Sequence, residues 1–414
     1  MHAAAEPSTG GAPLGAGAAK LVAGAPFAEV LTLPQQRRDN ASGAHFPLVL
    51  GCTAAESTSL AAVCEWLATH KAAVEAALVE HGGRYLRGFP VGDAQAFDAL
   101  MVRLSIGGWC TAHGVFPWQR HGQEWKADSR SRPATCRCLL DSRSPWACLQ
   151  SPTSAALRFA QSSTATCSQA TRARRQSAYH STMVRHVLCL CLFPCSNMTF
   201  THSEMALVAQ PPSRIAFFCD TPSPTGGETS ILLSTALYAR VAAARPAFVE
   251  RLRAEGLLYH RVLSEEDDPT SAQGRGWRST YNVHDHASCE AAMRATGVQA
   301  WTWLPDGSLR TTTGPLPAFK QDARTGEQVF MNALTAVFLG WTDTRNYGPD
   351  SVRFGAAGNA LEEGDVHAVR DAMGELAVDI PWQKGDVMLL DNLRSMHARR
   401  PFTPPRRILA YLCL

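Results

Sequence analysis

The stretch of residues 202–233 reads HSEMALVAQPPSRIAFFCDTPSPTGGETSILL. It opens on a His-x-Glu pair and continues into apolar runs at 214–219 and 228–233, which predict two strands joined by the turn-rich TPSPTGG. In extended backbone residues i and i+2 point to one face, so His202 and Glu204 can reach a single cation. About one such His-x-acid pair is expected by chance in a chain of this composition, so the pair alone is weak evidence.

A second stretch, residues 382–412, reads WQKGDVMLLDNLRSMHARRPFTPPRRILAYL. Its apolar runs at 387–391 and 407–412 predict two further strands, with His397 between them. A jelly roll brings early and late strands together at one mouth, so His397 can complete a set of two histidines and one carboxylate. Three protein ligands leave positions open for a bidentate cosubstrate and oxygen, and Arg407 could hold a second carboxylate.

The rest of the patterned sequence mixes short strands with helices. Apolar spacing predicts helical segments, and runs of β-branched and aromatic residues predict further strands. The helices are expected at 56–80, 94–104 and 234–254, the last interrupted at Pro246, and the strands at 85–89, 257–262 and 329–334. Together they predict a mainly β chain with helical insertions (α+β), built on a double-stranded β-helix, or jelly-roll, core.

Residues 118–196 differ from the rest of the chain. They carry eleven Lys and Arg against three acids, a net charge of +8, while the whole chain carries only +3. The segment is rich in Ser and Cys and has no periodicity, so we predict a basic, disordered insertion. A nucleic-acid tether is the alternative, but aromatic residues are sparse and nucleic acid is not the expected partner. The cysteines lack the C-x2-C pairs of a zinc ribbon.

These composition changes predict four parts. Residues 1–44 form a disordered Ala/Gly-rich tail with a short lead-in, 45–117 the amino-terminal part of the folded domain, 118–196 the insertion, and 197–414 the jelly-roll core. The opening residues lack the pattern of a signal peptide, and no apolar run approaches the roughly 20 residues of a membrane span. We therefore expect a cytoplasmic protein without membrane segments, with its 13 cysteines reduced.

The two long stretches resemble the clavaminate synthase-like proteins of the taurine dioxygenase (TauD/TfdA-like) superfamily of Fe(II)- and 2-oxoglutarate-dependent dioxygenases. Three other segments are also similar to that family, and the resemblance covers about residues 45–117 and 197–414; the segments are YLRGFPV at 85–91, LLYHRVLSEEDDPTSAQGRGWRSTY at 257–281 and RTGEQVFMNALTAVFLGW at 324–341. The resemblance implies that His202, Glu204 and His397 bind Fe(II). It also implies that Thr229 and Arg407, with Arg406 as the fallback, contact 2-oxoglutarate.

The activity that the resemblance implies is oxidative. Oxygen splits 2-oxoglutarate to succinate and carbon dioxide, and a small-molecule substrate, such as an amino acid or small carboxylate, is hydroxylated. Other interpretations stay open: Thr229 could simply favour its strand, and Arg407 could form a surface ion pair. A zinc hydrolase uses similar ligands, although it needs no dicarboxylate clamp. The insertion at 118–196 stands where the family shapes its pocket, so a catalytically impaired jelly-roll binding protein is the alternative function.

Overall fold

The computed structural model describes residues 16–105 and 201–413, apart from residues 24, 26, 40–41, 209–210, 269, 272–273 and 356. The predicted insertion at 118–196 therefore lies outside the described residues, as does most of the Ala/Gly-rich start of the predicted tail. Within the described ranges, no helix combines the length and the apolarity needed to cross a bilayer.

The strands are short, as the sequence predicts. In chain order they are β1 Ala28–Leu31, β2 Arg37–Arg38, β3 His45–Phe46, β4 Leu48–Cys52, β5 Gly83–Arg87, β6 Arg214–Thr221, β7 Thr229–Leu233, β8 Leu257–Leu263, β9 Val298–Trp303, β10 Leu309–Leu316, β11 Phe319–Gln321, β12 Gln328–Phe330, β13 Val352–Phe354, β14 Val387–Asp391, β15 Ser395–Arg399 and β16 Arg407–Cys413. The strand β15, which carries His397, has no counterpart among the predicted strands.

Helices fill the intervals between groups of strands. They are Ala16–Ala23, Leu60–Thr69, Lys71–His81, Ala94–Ser105, Ser234–Ala244, Pro246–Glu255, Trp277–Tyr281, His286–Ala295, Leu334–Gly340, Gly348–Ser351 and Glu363–Leu376. The interruption predicted at Pro246 is confirmed, because this proline starts a new helix where its missing N–H does no harm. The helix predicted over 56–80 is two helices that meet at His70.

Two facing sheets form the jelly-roll core. The large sheet has the order β1-β4-β5-β14-β6-β16, and β7 pairs with β15 in a small sheet. The chain alternates between them, from β6 to β7, from β14 to β15 and back to β16, so the predicted double-stranded β-helix is confirmed. Side chains from both sheets, including Phe217, Met388 and Ile231, share one buried cluster between them. Each fully buried apolar side chain of this cluster contributes about 1.5–3 kcal/mol to the free energy of unfolding.

The opposite face of the large sheet is covered by the amino-terminal helices. Phe218 and Leu389 point to this side and pack with Leu67, Leu78 and Phe97. Because side chains alternate along a strand, Phe217 faces the interior between the sheets while Phe218 faces the helices. The central strands are thus apolar on both faces, as their near-continuous hydrophobic sequence requires.

A four-stranded sheet of order β13-β8-β10-β9 lies beside the helices of the second half. The strand predicted over 329–334 is wrong in its second part, since β12 ends at Phe330 and a helix begins at Leu334. The reason is local: the side chain of Asn332 accepts a hydrogen bond from the Leu334 amide at 2.9 Å, which satisfies one amide of the first helical turn.

Buried charges tie the β11–β12 hairpin to the turn between β14 and β15. Asp391 is fully buried and accepts from Arg324 at 2.6 Å. Arg324 also contacts Asp322, and Asp322 in turn accepts from Arg394 at 3.2 Å. Since the β14–β15 turn leads directly into β15, this network fixes the position of the chain segment that precedes His397.

Candidate metal centre

His202 and His397 face each other because their backbones pair. The amide of His202 donates to the carbonyl of His397 at 3.0 Å, and the amide of His397 donates back at 2.9 Å. This isolated antiparallel bridge places His202 beside β15, on the edge of that strand opposite β7. The two imidazole rings lie 4.7 Å apart between centroids. Two segments remote in sequence are thus brought together, as the sequence predicts.

Glu204 completes the group. Its Oε2 lies 3.5 Å from Nε2 of His397, and one ligand atom from each of the three residues lies within 4.8 Å of the others. Two ligands of one ion at about 2.0–2.2 Å can stand at most about 4.4 Å apart, so small side-chain rotations suffice to bind an ion. The other ring nitrogen of His397, Nδ1, is buried without a hydrogen-bond partner among the described residues. Nε2 is thus the nitrogen of His397 that faces Glu204, and two histidines with one carboxylate at this spacing are a donor set that fits a divalent cation.

Two asparagines hold the short segment that carries these ligands. Asn392 is fully buried; its Oδ1 accepts from the Glu204 amide at 2.8 Å and its Nδ2 donates to the Glu204 carbonyl at 3.0 Å. The amide of Ser203 donates to the carbonyl of Asn332 at 3.3 Å. Directly after Glu204 the chain turns through Met205, which has a φ of 52°. Sequence reasoning missed Asn392, although it immediately follows the apolar run of β14.

The electrostatics of the centre favour an ionised carboxylate. Burial raises the pKa of Glu204, but the hydrogen bond with His397 and the charges on His397 and His202 more than offset it, so its pKa lies below the usual value. A carboxylate that stays ionised supplies the negative charge that a divalent cation needs. Phe217 closes one side, its ring 5.2 Å from that of His397.

Thr229 begins β7, on the same small sheet as the metal ligands. It is buried, and its hydroxyl accepts a hydrogen bond from Trp382 Nε1 at 3.2 Å. In the register of the small sheet Thr229 lies opposite Arg399, while Ile231 lies opposite His397. Thr229 is therefore one strand repeat, about 7 Å, from the level of His397. Trp382 was not identified from the sequence, although it opens the second quoted stretch.

The two candidate arginines have different environments. Arg407 is 53% exposed in its side chain and pairs with Asp220 at 3.2 Å, which is the surface ion pair that the sequence left as an alternative. Arg406 is only 6% exposed, and its Nε donates to the carbonyl of Gly227 at 2.7 Å. A Cβ at Gly227 would come within 2.9 Å of the Arg406 side chain, so a glycine there makes room for the guanidinium.

A buried ion pair joins two of the motifs quoted above. Arg87 of the YLRGFPV segment binds both carboxylate oxygens of Asp386, at 3.2 and 2.7 Å. Asp386 is 1% exposed in its side chain, and it also accepts from the amide of Gln383. Burial raises the pKa of Asp386, and the bonds to Arg87 and Gln383 lower it by less, so its pKa lies above the usual value. This pair fixes β5 against the loop that carries Trp382.

Comparison with known proteins connects the geometry to a family. The family model described as "Taurine catabolism dioxygenase TauD, TfdA family" matches residues 172–413. A clavaminate synthase-like protein of Arabidopsis thaliana is 44% identical over 212 residues, which cover 51% of this chain and 64% of that protein. The dapdiamide synthesis protein DdaC of Enterobacter agglomerans is 23% identical over 226 residues, covering 52% of this chain and 65% of its own length. The chain thus spans just under two thirds of either relative.

Solved structures give more distant likenesses. A taurine dioxygenase from Burkholderia xenovorans covers 93% of this chain and 88% of its own, with 13% identity and a TM-score of 0.41. The PvcB protein of Pseudomonas aeruginosa covers 92% of both chains, with 12% identity and a TM-score of 0.41.

Proposed function

This chain belongs to the taurine catabolism dioxygenase TauD, TfdA family, and on that premise we propose that it is an Fe(II)- and 2-oxoglutarate-dependent dioxygenase that hydroxylates a small molecule. One observation carries the proposal: His202, Glu204 and His397, from distant parts of the sequence, converge beside the interior of the jelly roll. Two histidines and one carboxylate on one face of an ion are the ligand set of non-haem Fe(II) oxygenases.

The three ligands would hold the iron and leave its remaining positions open. When bound there with 2-oxoglutarate, Fe(II) would supply the oxygen activation that converts the cosubstrate to succinate and carbon dioxide and oxidises a substrate C–H bond. The protein's own part is to keep the ligands aligned. Two contacts do this without the ion: the backbone pairing of His202 with His397, and the hydrogen bonds from the Asn392 side chain to the backbone of Glu204. Preorganised ligands lower the cost of binding a metal.

For the cosubstrate we propose Arg406 rather than Arg407 as the partner of the distal carboxylate. A buried guanidinium gives a stronger charge-assisted hydrogen bond than an exposed one, and Arg406 is the buried member of the pair. Arg407 is exposed and already neutralised by Asp220. Thr229 lies two residues along β7 from the position opposite His397 and two residues after Gly227, which Arg406 contacts, and this supports its role as a second donor to 2-oxoglutarate.

Substrate identity is proposed only as a class, an amino acid or another small carboxylate. The proximity of the three ligands favours a working enzyme over the impaired binding protein, which would have its donors too far apart for one ion.

A direct test measures succinate formed from 2-oxoglutarate by the purified, Fe(II)-loaded protein under air. We expect slow turnover even without a substrate, and its loss in the His202→Ala variant. The matched control is His367→Ala, since His367 lies on the helix Glu363–Leu376 and pairs only with Glu363 in the part of the chain described above. A wild-type protein that forms no succinate would contradict the proposal.

A further inference from the structure

Tyr85 in β5 has a buried phenol that the metal centre does not use. The residue is 0% exposed, yet its hydroxyl has no hydrogen-bond partner among the described residues. Buried polar groups are nearly always paired, because an unpaired one loses its hydration without compensation. The hydroxyl therefore needs a partner that the described chain does not supply.

The position of Tyr85 in the sheet directs its side chain to the interior between the sheets. Tyr85 lies opposite Met388 of β14, and Met388 lies opposite Phe217 of β6. Directly opposed residues share a face, so Tyr85 points to the same side as Phe217, whose ring contacts His397. With strands about 4.8 Å apart, Tyr85 starts roughly 10 Å from Phe217 along the sheet.

Tyr85 is linked through Trp382 to Thr229, one of the two groups proposed to hold 2-oxoglutarate, and it lies within electrostatic reach of the other, Arg406. Its ring packs against Trp382 at 5.2 Å between centroids, and Trp382 donates to Thr229. Arg406 is close enough for its charge to act on the phenol. Through Trp382, Tyr85 is therefore linked to Thr229, which lies about 7 Å along the small sheet from the level of His397.

The phenol is also in the right protonation state to donate. Burial raises the pKa of Tyr85 well above its usual value, and nearby Asp386 and Cys219 raise it further, whereas Arg87 and Arg406 lower it by less. The hydroxyl consequently keeps its proton at neutral pH. A protonated phenol is a donor for an anionic oxygen.

We propose that the hydroxyl of Tyr85 donates a hydrogen bond to the distal carboxylate of 2-oxoglutarate, beside Arg406 and Thr229. This inference rests on the proposed function. It assigns an amino-terminal strand, β5, a direct part in binding the cosubstrate. It also accounts for a phenol in an otherwise apolar row of the large sheet, since the carboxylate would pair an oxygen that has no partner among the described residues.

The test is the Tyr85→Phe variant, which removes one oxygen and keeps the ring on Trp382. Titration calorimetry of 2-oxoglutarate into Mn(II)-loaded protein should give a dissociation constant about 10- to 100-fold higher than for the wild type. The dissociation constant for Mn(II) should not change. Without ligand the variant should melt no lower than the wild type, because the lost hydroxyl makes no bond to any residue that the structure describes. Tyr281→Phe is the matched control, since the hydroxyl of Tyr281 already accepts from Arg261 in a separate cluster.

The outcomes are distinguishable. If the variant and the wild type bind 2-oxoglutarate with equal affinity, the role of Tyr85 is overturned and the proposed function stays intact. The same conclusion follows if the variant loses affinity for Mn(II) in parallel with its affinity for 2-oxoglutarate. A wild-type protein that binds Mn(II) but no 2-oxoglutarate would overturn the proposed function and this inference with it.

Discussion

Replacing Asn392 with alanine should weaken the metal centre without touching a metal ligand. The side chain makes three hydrogen bonds to backbone groups: two to Glu204 and one, at 2.8 Å, to the carbonyl of Pro212. At about 1 kcal/mol net for each bond, their loss should lower the free energy of unfolding by about 3 kcal/mol. Because the freed segment carries Glu204, metal affinity should also fall, by the 10- to 100-fold typical of groups that orient ligands.

The chain offers a matched control for this change. Asn346 is buried too, and it makes the same pair of bonds to the backbone of one residue, accepting from the Val262 amide at 2.8 Å and donating to the Val262 carbonyl at 3.1 Å. Asn346→Ala should therefore lower stability to a similar extent and leave metal affinity unchanged. The assays are urea unfolding and titration with Mn(II). If Asn392→Ala loses stability but binds Mn(II) as tightly as Asn346→Ala does, Asn392 does not orient Glu204.

Three further predictions concern charged side chains. Arg406→Gln should raise the dissociation constant for 2-oxoglutarate about 10- to 100-fold, whereas Arg407→Gln should change it by less than about fivefold. Equal effects of the two variants in binding titrations would refute the assignment of Arg406 as the partner of the distal carboxylate. Arg87→Ala should lower the free energy of unfolding in urea by about 3–5 kcal/mol, because it leaves the buried carboxylate of Asp386 without its ion-pair partner. A decrease of less than about 1 kcal/mol would count against this prediction. Burial raises the pKa of Asp322, but its arginine partners lower it to about 2 from 3.8. The ionised Asp322 therefore stabilises the fold by about 2 kcal/mol, fully above about pH 4 and progressively less as the pH falls towards 2. Asp322→Asn should flatten the decrease in the free energy of unfolding over this pH range, and an unchanged slope would refute the prediction.

The sequence predicted the strands with continuous apolar runs and the three candidate metal ligands. Strands β6, β14 and β16 are buried on both faces, so their composition alone is diagnostic. Strand β15, SMHAR, is as long as β14 but is polar at three of its five positions, and it forms because β7 and His202 pair with it. Pairing partners remote in sequence leave no local signal, which is why the strand that carries His397 was missed.

The choice between the two arginines could not be made from the sequence for a related reason. Ile408 faces the interior and Leu409 faces the helices, so both faces of β16 are apolar and their pattern does not reveal which side holds the site. The register also shifts between Arg407 and Ile408. Asn392 was overlooked because its function depends entirely on long-range bonds to the backbone of Glu204 and Pro212.

The central claim is that one ferrous ion binds His202, Glu204 and His397 and accepts 2-oxoglutarate as a chelate. Anaerobic addition of Fe(II) and then 2-oxoglutarate tests it most directly, through the visible charge-transfer band of the chelate. We expect the band in the wild-type protein and in His367→Ala, and its absence in His397→Ala. A wild-type protein without the band, or a His397→Ala variant that keeps it, would contradict the claim.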